Sequence, residues 1–140
     1  MERNVKFSYS GIDKNKILKS VNSCLPKNKT VADYGLIFVS KKKMAELNKK
    51  YRAKNKPTNV LSFETGLSDD LGAGDVVICP AVVLEEAKKY GFTQKKWMTR
   101  LVVHGILHLA GYDHLLGKDE VVMTGLENKI LKKLGVVLEV

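Results

Sequence analysis

Cysteine is scarce: Cys24 and Cys79 are the only two in 140 residues, far apart and without C-x-x-C spacing. That pattern suggests neither a disulfide framework nor a zinc knuckle, and small buried hydrophobes are the expected role of both. No apolar run approaches the roughly 20 residues that cross a bilayer. The N-terminal MERNVKFSYS also lacks the basic-then-apolar layout of a secretory signal. A cytoplasmic protein with no membrane partner is therefore expected. Repeats, low-complexity tracts and linkers are missing too, so residues 1–140 are expected to form one domain, long enough to bury a core without staples. No dinucleotide cofactor is expected.

Acids are the minority charge, 15 against 24 lysines and arginines, for a net charge of +9. The excess is local. Between Lys41 and Lys56 stand Lys41, Lys42, Lys43, Lys49, Lys50, Lys54, Lys56 and Arg52, opposed only by Glu46. Such a block is either a solvated helix face or an electrostatic stripe for a polyanion such as RNA. Arginine is used sparingly, at Arg3, Arg52 and Arg100. Arg52 lies inside the basic block just ahead of KNKPTNVLSF, and a planar guanidinium suits bidentate phosphate contact better than an ammonium. Arg100 precedes His104 by one helical turn, placed either to anchor substrate or to form a salt bridge.

Alternation at Val5, Phe7 and Tyr9 predicts a first strand. Asp13 is a candidate N-cap for a helix carrying Ile17, Leu18, Val21 and Leu25 and ended by Pro26. Leu36–Val39 reads as a strand. Ser40 then caps a helix with Met44, Leu47 and Tyr51 on one face. Asn59–Phe63 and Asp75–Cys79 read as strands separated by a Gly- and Asp-rich loop. Pro80 can open the next helix and Gly91 close it. A long helix runs from Thr93 to Gly111, and a last one from about Asp119 to Leu134 carries Val122, Met123, Leu126 and Ile130. The fold class is α+β: about four strands in a mixed sheet and four to five helices, with a metal site at the end of the long helix.

All three histidines fall within HGILHLAGYDH, residues 104–114. His104 and His108 stand four apart, so they project from one helix face a turn from each other. Gly111 sits where the helical pattern stops; a left-handed glycine there would reverse the chain and carry His114 back toward the pair. H-x-x-x-H-x-x-G-x-x-H is thus a metal claw. Three neutral imidazoles with a fourth position open to water is the catalytic pattern for one zinc per chain, although other divalent ions accept imidazoles. A structural zinc closed by a fourth ligand remains an alternative, with Asp113 nearby and Cys24 and Cys79, more distant, as the candidate donors. Asp113 can equally fix an imidazole tautomer.

The same spacing occurs in metzincin proteases, where a glutamate general base follows the first histidine. Here that position is Gly105, which argues against peptide cleavage. Phosphodiester hydrolysis asks instead for a cation and an arginine to neutralise phosphoryl charge.

HGILHLAGYDH also resembles the signature of the YbeY endoribonucleases. YRAKNKPTNVLSFE at 51–64, GDVVICP at 74–80 and DEVVMTGLENKIL at 119–131 are similar to the family's other blocks in order and spacing. Ala110 and Glu64 depart from the pattern without touching a proposed ligand. The resemblance implies a zinc-dependent endoribonuclease for single-stranded RNA, acting at the ribosome on the 3′ end of small-subunit ribosomal RNA and in ribosome quality control. It implies His104, His108 and His114 as zinc ligands and Arg52 as the essential arginine of the cleft. In that scheme zinc-bound water attacks the phosphodiester while the lysines of 41–56 draw in the strand. A ribosome-assembly factor that binds RNA around a structural zinc, without cleaving it, and a zinc metalloprotease are the alternatives.

Overall fold

The run Asp75–Ile78 lacks polar alternation because both of its faces are covered. In the computed structural model, which describes residues 12–64, 74–112 and 117–137, this strand is the centre of a three-stranded mixed sheet. In chain order the elements are α1 (Lys14–Ser23), β1 (Gly35–Phe38), α2 (Lys41–Arg52), β2 (Val60–Phe63), β3 (Asp75–Ile78), α3 (Pro80–Tyr90), α4 (Gln94–Leu109) and α5 (Gly117–Lys133), with a 3₁₀ turn at Lys27–Lys29. The sheet order is β1-β3-β2. β1 runs parallel to β3, with Gly35 opposite Asp75, and β2 runs antiparallel to it, with Phe63 opposite Asp75. The fold is α+β, with five α-helices among the described residues. The strand expected over Val5–Tyr9 lies outside the described residues.

Side-chain alternation sends each strand's residues to two cores. Val76 and Ile78 join Ile17, Val21, Met98, Val102, Ile106, Met123 and Ile130 in the larger core, under α1, α4 and α5. Val77, Cys79, Leu61 and Phe63 face the other way, against Met44 and Leu47 of α2. Helix ends follow local chemistry. The side chains of Asp13, Ser40 and Thr93 accept hydrogen bonds from the backbone N–H groups of Lys16, Lys43 and Lys96. Pro80 opens α3, and Gly91 closes it in the left-handed conformation.

Two residues expected on buried helix faces are exposed. Tyr51 is 41% exposed because it sits in the last turn of α2, where its ring meets Phe63 edge-on at 5.0 Å and lies outside the core. Val122 is 51% exposed, displaced from the Met123–Leu126–Ile130 line that faces the core.

α4 is the hub, packing against α1, α3, α5, β2 and β3. It approaches the sheet at Gly105, where an added Cβ would lie 2.6 Å from Val76 Cγ1 and 3.2 Å from Ser62 Oγ. Ser62 Oγ donates to the Gly105 carbonyl at 3.0 Å, tying β2 to α4. A glutamate at 105 would be driven into the sheet rather than toward a substrate, which gives the missing base of the protease reading a steric cause. Gly105→Ala should destabilise the protein by about 1–2 kcal/mol, overpacking outweighing the gain in helix propensity. Urea unfolding measures this; unchanged stability would mean that α4 does not rest on Val76.

Candidate functional site

α4 delivers His104 and His108 to one wall of a cleft of about 630 Å³, and the segment from Arg52 to Lys56 forms another wall. The rings of His104 and His108 lie 4.6 Å apart at 70°, with the two Nε2 atoms 3.1 Å from each other. This spacing is compatible with both nitrogens binding one ion at roughly 2.0–2.1 Å. The orientation of His104 is set from behind. Its Nδ1 lies 2.5 Å from Oε2 of Glu127, a carboxylate only 6% exposed on α5. A carboxylate accepts hydrogen bonds, so this contact suits a proton on Nδ1 and leaves Nε2 facing His108 Nε2.

Beyond the histidines the helix ends as its glycine predicts. Gly111 has φ of +96°, its N–H donates to the His108 carbonyl at 3.0 Å, and the Tyr112 N–H donates to the Leu107 carbonyl at 3.0 Å. These two bonds form a Schellman motif, which reverses the chain immediately after the imidazole pair. His114 and Asp113 lie outside the described residues. Among the described residues, no cluster of three histidine, cysteine or acidic side chains is arranged to hold a metal.

Arg52, an exposed residue that lines the same cleft, is tied back to the backbone and to an aromatic ring. Its Nη2 donates to the Ser62 carbonyl at 3.1 Å, its Nη1 donates to the Tyr51 carbonyl at 3.2 Å, and its guanidinium lies 5.5 Å from the Phe63 ring centre. Ser62 therefore joins the arginine to the histidine helix. After Arg52 the chain turns through Ala53 in a left-handed conformation, φ 58°. Buried Asn48 braces that turn: its side-chain amide donates to the Lys56 carbonyl at 2.9 Å, and its own carbonyl accepts from the Lys54 N–H at 3.3 Å.

The basic block is thereby divided. Lys54 and Lys56 line the cleft with Arg52. Lys41 pairs with Glu85. Lys42, Lys49 and Lys50 are exposed along α2 and Lys43 is half-buried; the Lys50 ammonium lies 5.2 Å over the Tyr51 ring. Arg100 takes the salt-bridge role, its Nη2 being 3.7 Å from Glu127 Oε1. Cys79 is buried, and burial pushes its thiol above the ordinary range despite the N–H groups of Val82 and Ala81 at the head of α3. It stays a protonated packing residue, and Cys24 is half-buried.

Glu127, Ser62 and Asn48 are missed by sequence reasoning. Glu127 left one signal: an acid one turn after Met123 and three residues before Ile130, in the middle of a stripe that otherwise turns to the core.

Paired imidazoles on a cleft that Arg52, Lys54 and Lys56 also line, with Glu64 the one acid there among the described residues, are suited to phosphate chemistry, and comparison with known proteins agrees. The family model described as Endoribonuclease YbeY matches residues 4–135. Endoribonuclease YbeY of Bartonella quintana is 40% identical over 126 residues, covering 86% of this chain and 80% of that protein. Endoribonuclease YbeY of Legionella pneumophila is 36% identical over 129 residues, covering 89% and 82%. A solution structure of a Thermotoga maritima protein, 27% identical, superposes with a TM-score of 0.53 over 89% of this chain and 87% of that one. The chain belongs to the YbeY endoribonuclease family.

Among the described residues, nothing lies within 4 Å of where a Cβ at Gly111 would sit, so a substitution there tests backbone conformation first. Gly111→Ala should lower stability by about 1–2 kcal/mol, and Gly111→Asn by less, because asparagine tolerates the left-handed region. Thermal unfolding of the two variants reads the difference; equal stabilities would contradict a left-handed turn behind His108.

Proposed function

We propose that this chain is a metal-dependent endoribonuclease for single-stranded RNA, acting in the cytoplasm on the 3′ end of small-subunit ribosomal RNA and in ribosome quality control. Membership of a family of endoribonucleases, hydrolases of RNA involved in ribosomal RNA maturation, supports the reaction class. Among the described residues, no helix is long and apolar enough to cross a membrane. The observation that carries the reading is the pair of Nε2 atoms 3.1 Å apart, on the cleft that Arg52, Lys54 and Lys56 line.

His104, His108 and His114 would hold one divalent ion, zinc by the all-imidazole donor set. Such an ion would supply Lewis acidity and would activate water at neutral pH. The protein's own groups do the rest. Glu127 keeps the His104 lone pair turned to the cleft, and Arg52, fixed through the Ser62 carbonyl, offers a planar donor to the phosphoryl oxygens as negative charge builds on them. Lys54 and Lys56 bind flanking phosphates. Lys41, Lys42, Lys43, Lys49 and Lys50 extend the positive field that draws the strand in, so binding should weaken steeply with salt. Asp113 would hold the proton of a second imidazole.

His108→Ala should lose both bound metal and cleavage of a single-stranded RNA. Arg52→Ala should retain metal but lose cleavage by about 10²–10³-fold, the usual size for removing one donor to developing charge. Metal analysis and an RNA cleavage assay check both. Cleavage at the unmodified rate by Arg52→Ala would remove that residue from the scheme. RNA binding with no metal-dependent cut by the unmodified protein would favour an assembly factor instead.

A further inference from the structure

The carboxylate of Glu127 is buried, yet it faces neither the cleft nor solvent. One oxygen meets His104 Nδ1 at 2.5 Å and the other lies 3.7 Å from Arg100 Nη2. Arg100 in turn is stacked, its guanidinium 4.9 Å from the centre of the Trp97 ring. Trp97 is fixed on its other sides. Phe92 stacks on it at 5.4 Å with planes 6° apart, and its indole N–H donates to Glu86 Oε1 at 2.9 Å. The same Glu86 oxygen accepts from the side-chain amide of Asn59 at 2.9 Å, and Asn59 lines the cleft. A continuous set of polar and stacking contacts thus runs behind the cleft from Asn59 to His104, through residues of α3, α4 and α5.

We infer that Glu127 is a positioning residue for the reaction: it selects the Nδ1–H tautomer of His104, and Arg100, braced on Trp97, holds Glu127 in the orientation that does so. The physical need is specific. A neutral imidazole can carry its proton on either nitrogen, and only the Nδ1–H form presents the Nε2 lone pair to an ion shared with His108. A carboxylate behind Nδ1 favours that form, fixes the ring plane and raises the basicity of Nε2; losing such a partner typically costs 10–100-fold in metal affinity. Burial makes the choice firm, because a carboxylate removed from water must keep its partners. The inference rests on the metal reading above for its consequence, but the tautomer is a property of the metal-free protein.

Long-range proton–nitrogen NMR correlations of the full chain without metal, at a pH where imidazoles are neutral, report which ring nitrogen of His104 is protonated. The unmodified protein should show Nδ1–H, and Glu127→Ala should show a substantial Nε2–H population. Chelator competition should give zinc binding 10–100-fold weaker in Glu127→Ala. Glu127→Gln keeps the side-chain volume and an acceptor oxygen, so it should fold, retain Nδ1–H and lose affinity by a smaller factor because the charge is gone. Nε2–H in the unmodified protein, or zinc affinity within twofold of normal in the Gln and Ala variants, would overturn the inference. Absence of zinc binding by the unmodified chain would instead count against the metal reading, with the tautomer still deciding the role of Glu127.

Discussion

The close approach of α4 to the sheet at Gly105 is the contact on which the rest of the molecule depends. A helix resting on side chains would stand farther from β3; here its backbone comes down against Val76, and Ser62 bonds directly to the Gly105 carbonyl. That contact sets the rotation of the helix. With position 105 turned into the sheet, its neighbour His104 and the residue one turn later, His108, are turned to the cleft. The same Ser62 whose hydroxyl anchors α4 offers its carbonyl to Arg52. One residue of β2 therefore fixes the distance between the imidazole wall and the guanidinium wall.

Charge is arranged to suit that frame. A buried carboxylate is unfavourable unless its oxygens are bonded, and Glu127 has His104 on one oxygen and Arg100 near the other. The acid is thus kept out of the cleft, whose opposite wall carries Arg52, Lys54 and Lys56. An anionic strand entering there meets three cations against one lining carboxylate, Glu64, while the carboxylate of Glu127 stays behind the helix. None of the five lysines of α2 lines the cleft; Lys41, Lys42, Lys49 and Lys50 are exposed, Lys43 is half-buried, and together they add to the long-range field.

Much of this was legible from the sequence wherever the controlling chemistry is local. Asp13, Ser40 and Thr93 act on an N–H three residues away, and Gly91 and Gly111 adopt the left-handed turns their positions suggest, so helix limits could be read with little loss. The histidine pair followed from helical spacing. What could not be read depends on distant partners. Nothing near Ala53 announces a left-handed alanine; Asn48 imposes it by binding the turn that follows. Glu127 meets His104 from 23 residues away across a helix interface, so only its place within an apolar stripe hinted at it. The parallel pairing of β1 with β3 skips over α2 and β2, a long-range choice that alternation within either strand does not encode.

Anomalous diffraction at the zinc edge, from crystals of zinc-loaded protein, tests the central claim most directly. A single strong peak is expected between the two helical imidazoles, about 2.0–2.1 Å from each Nε2, with His104 still backed by Glu127. A peak bound to only one of them, or seated elsewhere on the chain, would contradict it.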